Sequence, residues 1–147
     1  MIHTRNADYA AFVLRLSLGT MYVAHGTMKL VVFGPAGTAG FFEAIGLPGI
    51  LGYATMYAEI FGGLALILGI GSRLVAAALV PVLIGSILFV HGDKGWVFSA
   101  PGGGWEYPAF LVAASIVQVM LGNGGFALRL RRERPEPVAA PTLKLAA

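Results

Sequence analysis

The sequence predicts an all-α fold: a polytopic membrane protein with four transmembrane helices in one bundle. Three observations predict it. Apolar residues make up 57% of the chain and charged residues 12%, where soluble domains carry about 25% charge. Mean hydropathy is +0.79. The apolar residues fall in four runs separated by short segments rich in glycine, proline and charge, and 147 residues allow one domain. Glycine is abundant, at 21 residues, and small residues let helices pack closely in lipid.

The elements follow in order. The first span is predicted over residues 9–33, long enough at ~1.5 Å per residue to cross a ~30 Å core. The second covers 51–70, and the third 74–90 with a kink at Pro81. The fourth starts near Pro108, a favoured first helical residue, reaches Leu121, and is allowed to continue past Gly122 to Leu130. The domain is therefore set at residues 1–130, with a disordered basic, Pro- and Ala-rich tail at 131–147. The polar stretch before Tyr9 and the length of the first run argue against a cleavable signal peptide.

Charge gives orientation. Arg5, Arg73 and the four arginines of the Arg129–Arg134 cluster share one side. The positive-inside rule makes that side, and both termini, cytoplasmic. The net charge of +3 reads as this signal and as contact with acidic lipid headgroups, not as a nucleic-acid footprint. The absence of cysteine excludes disulfides, thiolate metal ligands and Cys-x-x-Cys redox chemistry. No metal site is assigned.

The topology brings five titratable residues to one level in the outer half of the bundle: His25, Lys29, Glu59, His91 and Glu106. Ionisable groups inside spans are expensive and persist when paired, facing other helices or lining a hydrated cavity. This set is the candidate site for ligand binding and proton relay. Each member also has a plain structural reading. Lys29 can snorkel or form a structural pair with Glu59. His91 can be interfacial, and Glu106 can cap the fourth helix. Arg15 belongs to the inner level, where it snorkels or binds loop carbonyls, and is left out of the site.

The outer loops carry fewer signals. Residues 40–48 are amphipathic and Gly-bounded and read as an interfacial lid. Trp96, Trp105 and Tyr107 read as an aromatic belt. Residues 99–104 read as a flexible turn; with no following Lys-Ser/Thr they form no phosphate loop. Arg15-Leu16 with His25-Gly26-x-x-Lys29 is echoed by Arg73-Leu74 with His91-Gly92-x-Lys94, which suggests two repeated helical hairpins.

These motifs resemble the DoxX family of small bacterial membrane proteins. The pattern runs from Arg15-Leu16 and His25-Gly26-x-x-Lys29-Leu30 through the 41–48 loop. It continues with Glu59-x-x-Gly62-Gly63, Leu68-Gly69, Ser72-Arg73 and His91-Gly92, and closes with Gly103-Gly104-Trp105-Glu106-Tyr107. The chain departs from the family where a Leu-Asp pair usually follows Gly-x-Gly: here Leu128 precedes Arg129. The resemblance implies four membrane helices in the bacterial inner membrane and a link to quinone-dependent redox chemistry. A quinone-like ligand, membrane lipid and a redox protein partner are the implied associates. With no iron–sulfur, flavin or dinucleotide motif the chain reads as a subunit that is not a complete enzyme alone. The other classes are a small transporter or channel, and a scaffold with a structural charge network. A b-type haem between His25 and His91 is disfavoured.

Overall fold

A computed structural model of the chain describes residues 4–128. The tail expected at 131–147 and the Arg129–Arg134 cluster lie outside the described residues. Five α-helices make up the fold: α1 (Thr4–Val31), α2 (Pro35–Ala44), α3 (Ile50–Leu68), α4 (Ser72–Ser86) and α5 (Glu106–Leu121). Among the described residues there is no strand. Two helices are both long and apolar enough to cross a membrane: α3, and α4 with its continuation, Ser72–Lys94. Helix α5 is a shorter apolar helix, and α1 has the length, at 28 residues, but carries Asp8, Arg15 and Lys29.

Three boundaries differ from the sequence reading. Helix α1 begins at Thr4, ahead of the apolar run predicted from Tyr9. Helix α4 runs through Pro81 unbroken, and its departure from α geometry comes later, as a π turn at Ile87–His91 and a 3-10 turn at Gly92–Lys94. Helix α5 begins at Glu106, two residues before Pro108, and ends at Leu121, the nearer of the two ends the sequence allowed, because Gly122 turns the chain at φ 82° and residues 122–128 fold back.

Each helix buries one narrow seam. On α1 it is Ala11, Arg15, Leu18, Tyr22 and Gly26; on α3, Gly52, Met56, Glu59, Gly63 and Leu66. On α4 it is Ser72, Ala76, Leu79 and Leu83, and on α5 Pro108, Leu111, Ser115 and Gln118. The alternating three- and four-residue spacing is that of helices wrapped with a small left-handed crossing. Helix α1 packs chiefly on α3, and α4 chiefly on α5. The outward faces hold Phe61, Leu74, Leu88, Phe110 and Met120, each at least 64% exposed. Apolar exposure on every side exceeds what water-facing surfaces carry and suits a lipid-facing exterior.

Helix α2 seats on the first turn of α3. Gly34, at φ 72°, turns the chain after α1, and Pro35 opens α2 where its missing N–H costs nothing. Of the lid expected at 40–48, residues 40–44 are thus the C-terminal half of a helix that starts at Pro35, and 45–48 form the turn that follows it. The buried residues of α2 are Thr38 and Ala39, which rest on Gly52. At the same end, the 95–105 loop is tied: Trp105 N–H donates to the Gly95 carbonyl at 3.0 Å, and Gly104 N–H to that of Val97 at 3.0 Å. Within it, Gly103 N–H donates to the Ala100 carbonyl at 2.7 Å, so residues 99–104 form a hydrogen-bonded turn rather than a loose one. With the orientation that the basic residues predict, this would be the outer end of the bundle, and residues 69–73 and 122–128 the inner end.

Candidate functional site

Lys29 stands in the last turn of α1, where the helix dipole favours a cation. Helical side chains lean toward the N-terminus, which turns the lysine stem inward along α3. Its Nζ reaches both carboxylate oxygens of Glu59, Oε2 at 2.7 Å and Oε1 at 3.0 Å. The two side chains are 18% and 7% exposed. Glu59 lies on the buried seam of α3, between Met56 and Gly63. Thr38 of α2 donates its hydroxyl to the Lys29 carbonyl at 3.1 Å, so α2 satisfies a carbonyl that the end of α1 leaves open. An ion pair at this depth trades desolvation against Coulomb attraction, and the bidentate geometry is what offsets that cost.

His25 precedes Lys29 by one turn on the same face of α1. Its Nδ1 lies 2.9 Å from the Met21 carbonyl. A carbonyl only accepts, so Nδ1 donates and Nε2 is left unengaged. His91 closes the π turn after α4, and its Nδ1 donates to the Gly103 carbonyl at 2.8 Å. Glu106 opens α5, and its Oε1 accepts the Phe98 N–H at 2.8 Å. The structure therefore joins Lys29 with Glu59, sets His25 beside them, and engages His91 and Glu106 with the 95–105 loop. Beside that loop Trp96, Phe98, Glu106, Tyr107 and Phe110 border an open cleft of about 540 Å³. No group of three or more His, Asp or Glu gathers as a metal site among the described residues.

Arg15 is fully buried at the inner end and donates four hydrogen bonds to backbone carbonyls. Nε reaches Asn123 at 2.9 Å, Nη1 reaches Leu66 at 2.9 Å and Ile67 at 2.5 Å, and Nη2 reaches Gly125 at 2.8 Å. Two of these acceptors belong to the last turn of α3, where carbonyls lack helical partners and the dipole end is negative. The Phe12 ring lies 5.1 Å from the guanidinium. Of the two inner-level readings for Arg15, binding loop carbonyls is the one observed.

The sequence reading missed a set of buried polar side chains. Tyr22, Ser72, Ser115 and Gln118 are each at most 1% exposed. The signal was available: Tyr22 lies two turns before Lys29, and Ser115 and Gln118 share one face of an otherwise apolar helix.

Fold and site together define a small helical membrane protein with a charged pair held between two of its helices. The chain belongs to the DoxX family, whose family model matches residues 10–92. It is 30% identical over 124 residues to a Bacillus subtilis (strain 168) protein named "Putative oxidoreductase CatD", a match covering 84% of this chain and 87% of that one. No solved structure matches the chain.

Proposed function

We propose that the protein is a four-span subunit of a quinone-linked oxidoreductase system in the bacterial inner membrane, with both termini cytoplasmic. In this reading the Lys29–Glu59 pair and His25 form the polar end of a site for a quinone-like ring. The observation that carries it is the bidentate ion pair between α1 and α3, largely buried in a bundle whose exterior is apolar. The name of the Bacillus relative supports the oxidoreductase class. The motifs that first suggested DoxX supply the quinone link.

The residues fit such a ligand. A quinone carbonyl needs a donor, and the lysine ammonium has three N–H groups, two of which are directed at Glu59. The third is free to point at a ligand oxygen. His25, with Nδ1 engaged by the Met21 carbonyl, offers Nε2 as the atom that takes a proton when a hydroquinone is oxidised. Two-electron reduction of the ring takes up two protons, and Glu59 and His25 are the side chains placed to hold them. Electrons come from a partner protein, since the sequence carries no iron–sulfur or flavin motif. His91 and Glu106 act one step away, fixing the loop that roofs the outer end. Each is engaged through one atom, His91 through Nδ1 and Glu106 through Oε1.

The spans follow from length. Helix α1 is about 42 Å long at ~1.5 Å per residue, ample for a ~30 Å core. Helix α5 is about 24 Å long on the same rise, so the tied 95–105 loop completes its crossing. The test is extraction of quinone from protein purified from native membranes in mild detergent. Wild type is expected to retain quinone, and Glu59→Leu and His25→Leu to retain much less. If wild type retains none and reconstitution adds none, a transporter or a scaffold is the better account.

A further inference from the structure

The apolar core of this bundle has polar side chains set into it. Of the seven largest fully buried side chains, five carry polar groups: Arg15, Tyr22, Gln118, Ser72 and Ser115. They occupy seam positions on α1, α4 and α5, where an ordinary bundle places leucine. Such a seam costs stability in lipid unless its polar atoms find partners.

The members connect from mid-depth to the inner end. Tyr22 lies about one turn inward of the Glu59 level, because Gly26 packs on Met56 and Ile60 while Val23 packs on Gly63. The Tyr22 hydroxyl is 3.5 Å from Ser115 Oγ. One turn further along α5, Gln118 Nε2 donates to the Gly122 carbonyl at 2.6 Å. The next residue, Asn123, is exposed, and its Oδ1 accepts the Ser72 N–H at 2.9 Å. Two atoms in this chain of contacts have no partner: Gln118 Oε1 and Ser72 Oγ, both fully buried. Buried polar atoms without protein partners are the places where internal water binds, each water typically making about three hydrogen bonds.

We propose that Tyr22, Ser115, Gln118 and Ser72 line a hydrated column that conducts protons between the inner face at Asn123 and the Glu59–Lys29 pair, so that the protein moves protons across the membrane. Hydroxyls of Tyr and Ser both donate and accept, which lets a proton pass along them and intervening water. Glu59 is the titratable group at the outer end of the column. Its neighbours from the packed elements are Lys29 and His25 on α1; Arg15, at the inner end, is held by four backbone carbonyls. A proton leaves water on one side, is relayed through these oxygens and Glu59, and enters water on the other, driven by the membrane potential. No other bond changes. The inference rests on Glu59 being a functional group, as in the quinone reading, but not on the identity of any ligand.

The test is proton flux into vesicles holding the full chain and a trapped pH dye, driven by a valinomycin-clamped potassium potential. Wild type is expected to acidify the lumen faster than protein-free vesicles. Tyr22→Phe and Gln118→Leu are expected to fall to the protein-free rate. Ser17→Ala, which removes an exposed hydroxyl from the lipid side of α1, is expected to conduct like wild type. Ser115→Ala gives a smaller truncation on the column should Gln118→Leu elute as aggregate. No protein-dependent flux in wild type overturns the proposal, as does wild-type flux in Tyr22→Phe. Quinone content is measured on the same samples: flux without quinone sinks the quinone reading alone, and quinone without flux sinks the column alone.

Discussion

Gly19 and Gly63 meet backbone to backbone. A Cβ built on Gly19 would lie 2.7 Å from the Gly63 carbonyl oxygen, and one on Gly63 the same distance from that of Gly19. The contact sets how closely α1 and α3 approach, and so whether Lys29 can reach Glu59 with both oxygens. Real Cβ atoms do not tolerate that distance, and backbone cannot give way as a side chain can.

Gly19→Ala and Gly63→Ala are therefore expected to destabilise the protein by about 1–3 kcal/mol, the usual cost of overpacking. Gly37→Ala is the internal contrast. Nothing lies within 4 Å of a Cβ there, and a helical glycine replaced by alanine gains about 0.5–1 kcal/mol. Thermal unfolding in one detergent compares all three. Equal midpoints would show that the α1–α3 contact is looser than described.

The ion pair makes a separate prediction. Removing one member of a buried pair costs about 3–5 kcal/mol because the other charge is left uncompensated. Lys29→Met and Glu59→Gln should each lower stability, and the double variant should recover much of the loss. A double-mutant cycle reads the coupling, for which contacting residues give about 0.5–3 kcal/mol. Strict additivity would mean that the pair does not form in the membrane.

Much of the fold was legible because composition alone writes helices when nearly every face is apolar. That same property hid the seam. With leucine and valine facing lipid, the buried side of each helix does not stand out by hydrophobicity, and it is the polar residues that mark it. Lys29 and Glu59 were readable as candidates because charges in apolar runs are conspicuous. Ser115 and Gln118 gave a weaker signal, a shared face on an apolar helix, and it is their burial that singles them out. His91 and Glu106 were placed by topology at the right end, but their engagement with Gly103 and Phe98 depends on how the 95–105 turn closes. The stop at Gly122 followed no hydropathy change. It follows from a positive φ and from the contacts that residues 122–128 make on returning.

Topology can be read directly, since the chain has no native cysteine. Gly37, on α2, and Ser99, in the outer turn, are exposed, as is Asn6 near the start of α1. Single cysteines at Gly37 and Ser99 are expected to react with an impermeant maleimide added outside intact cells. A cysteine at Asn6 is expected to react after lysis alone. Labelling of Asn6→Cys from outside would reverse the proposed orientation and place Lys29 and Glu59 nearer the cytoplasm.

Arg15 gives the last prediction, because it is the one side chain that holds three segments together. Its donors engage the end of α3 and the returning 122–128 segment, which is further tied by Gly125 N–H on the Asp8 carbonyl and Leu128 N–H on the Leu68 carbonyl. Gly69 leaves no room for adjustment, since a Cβ there would stand 2.9 Å from the guanidinium carbon. Arg15→Met leaves at least four carbonyls without this donor, and each buried group left unpaired costs about 1–3 kcal/mol. Arg15→Lys restores the charge but not the planar fork, so it cannot span acceptors on two segments at once. Both variants are expected to lose stability, with lysine recovering little, and both should expose residues 122–128 to limited proteolysis from the inner side. Protection of that segment in Arg15→Lys equal to wild type would show that the charge alone, rather than the fork, fastens the inner end.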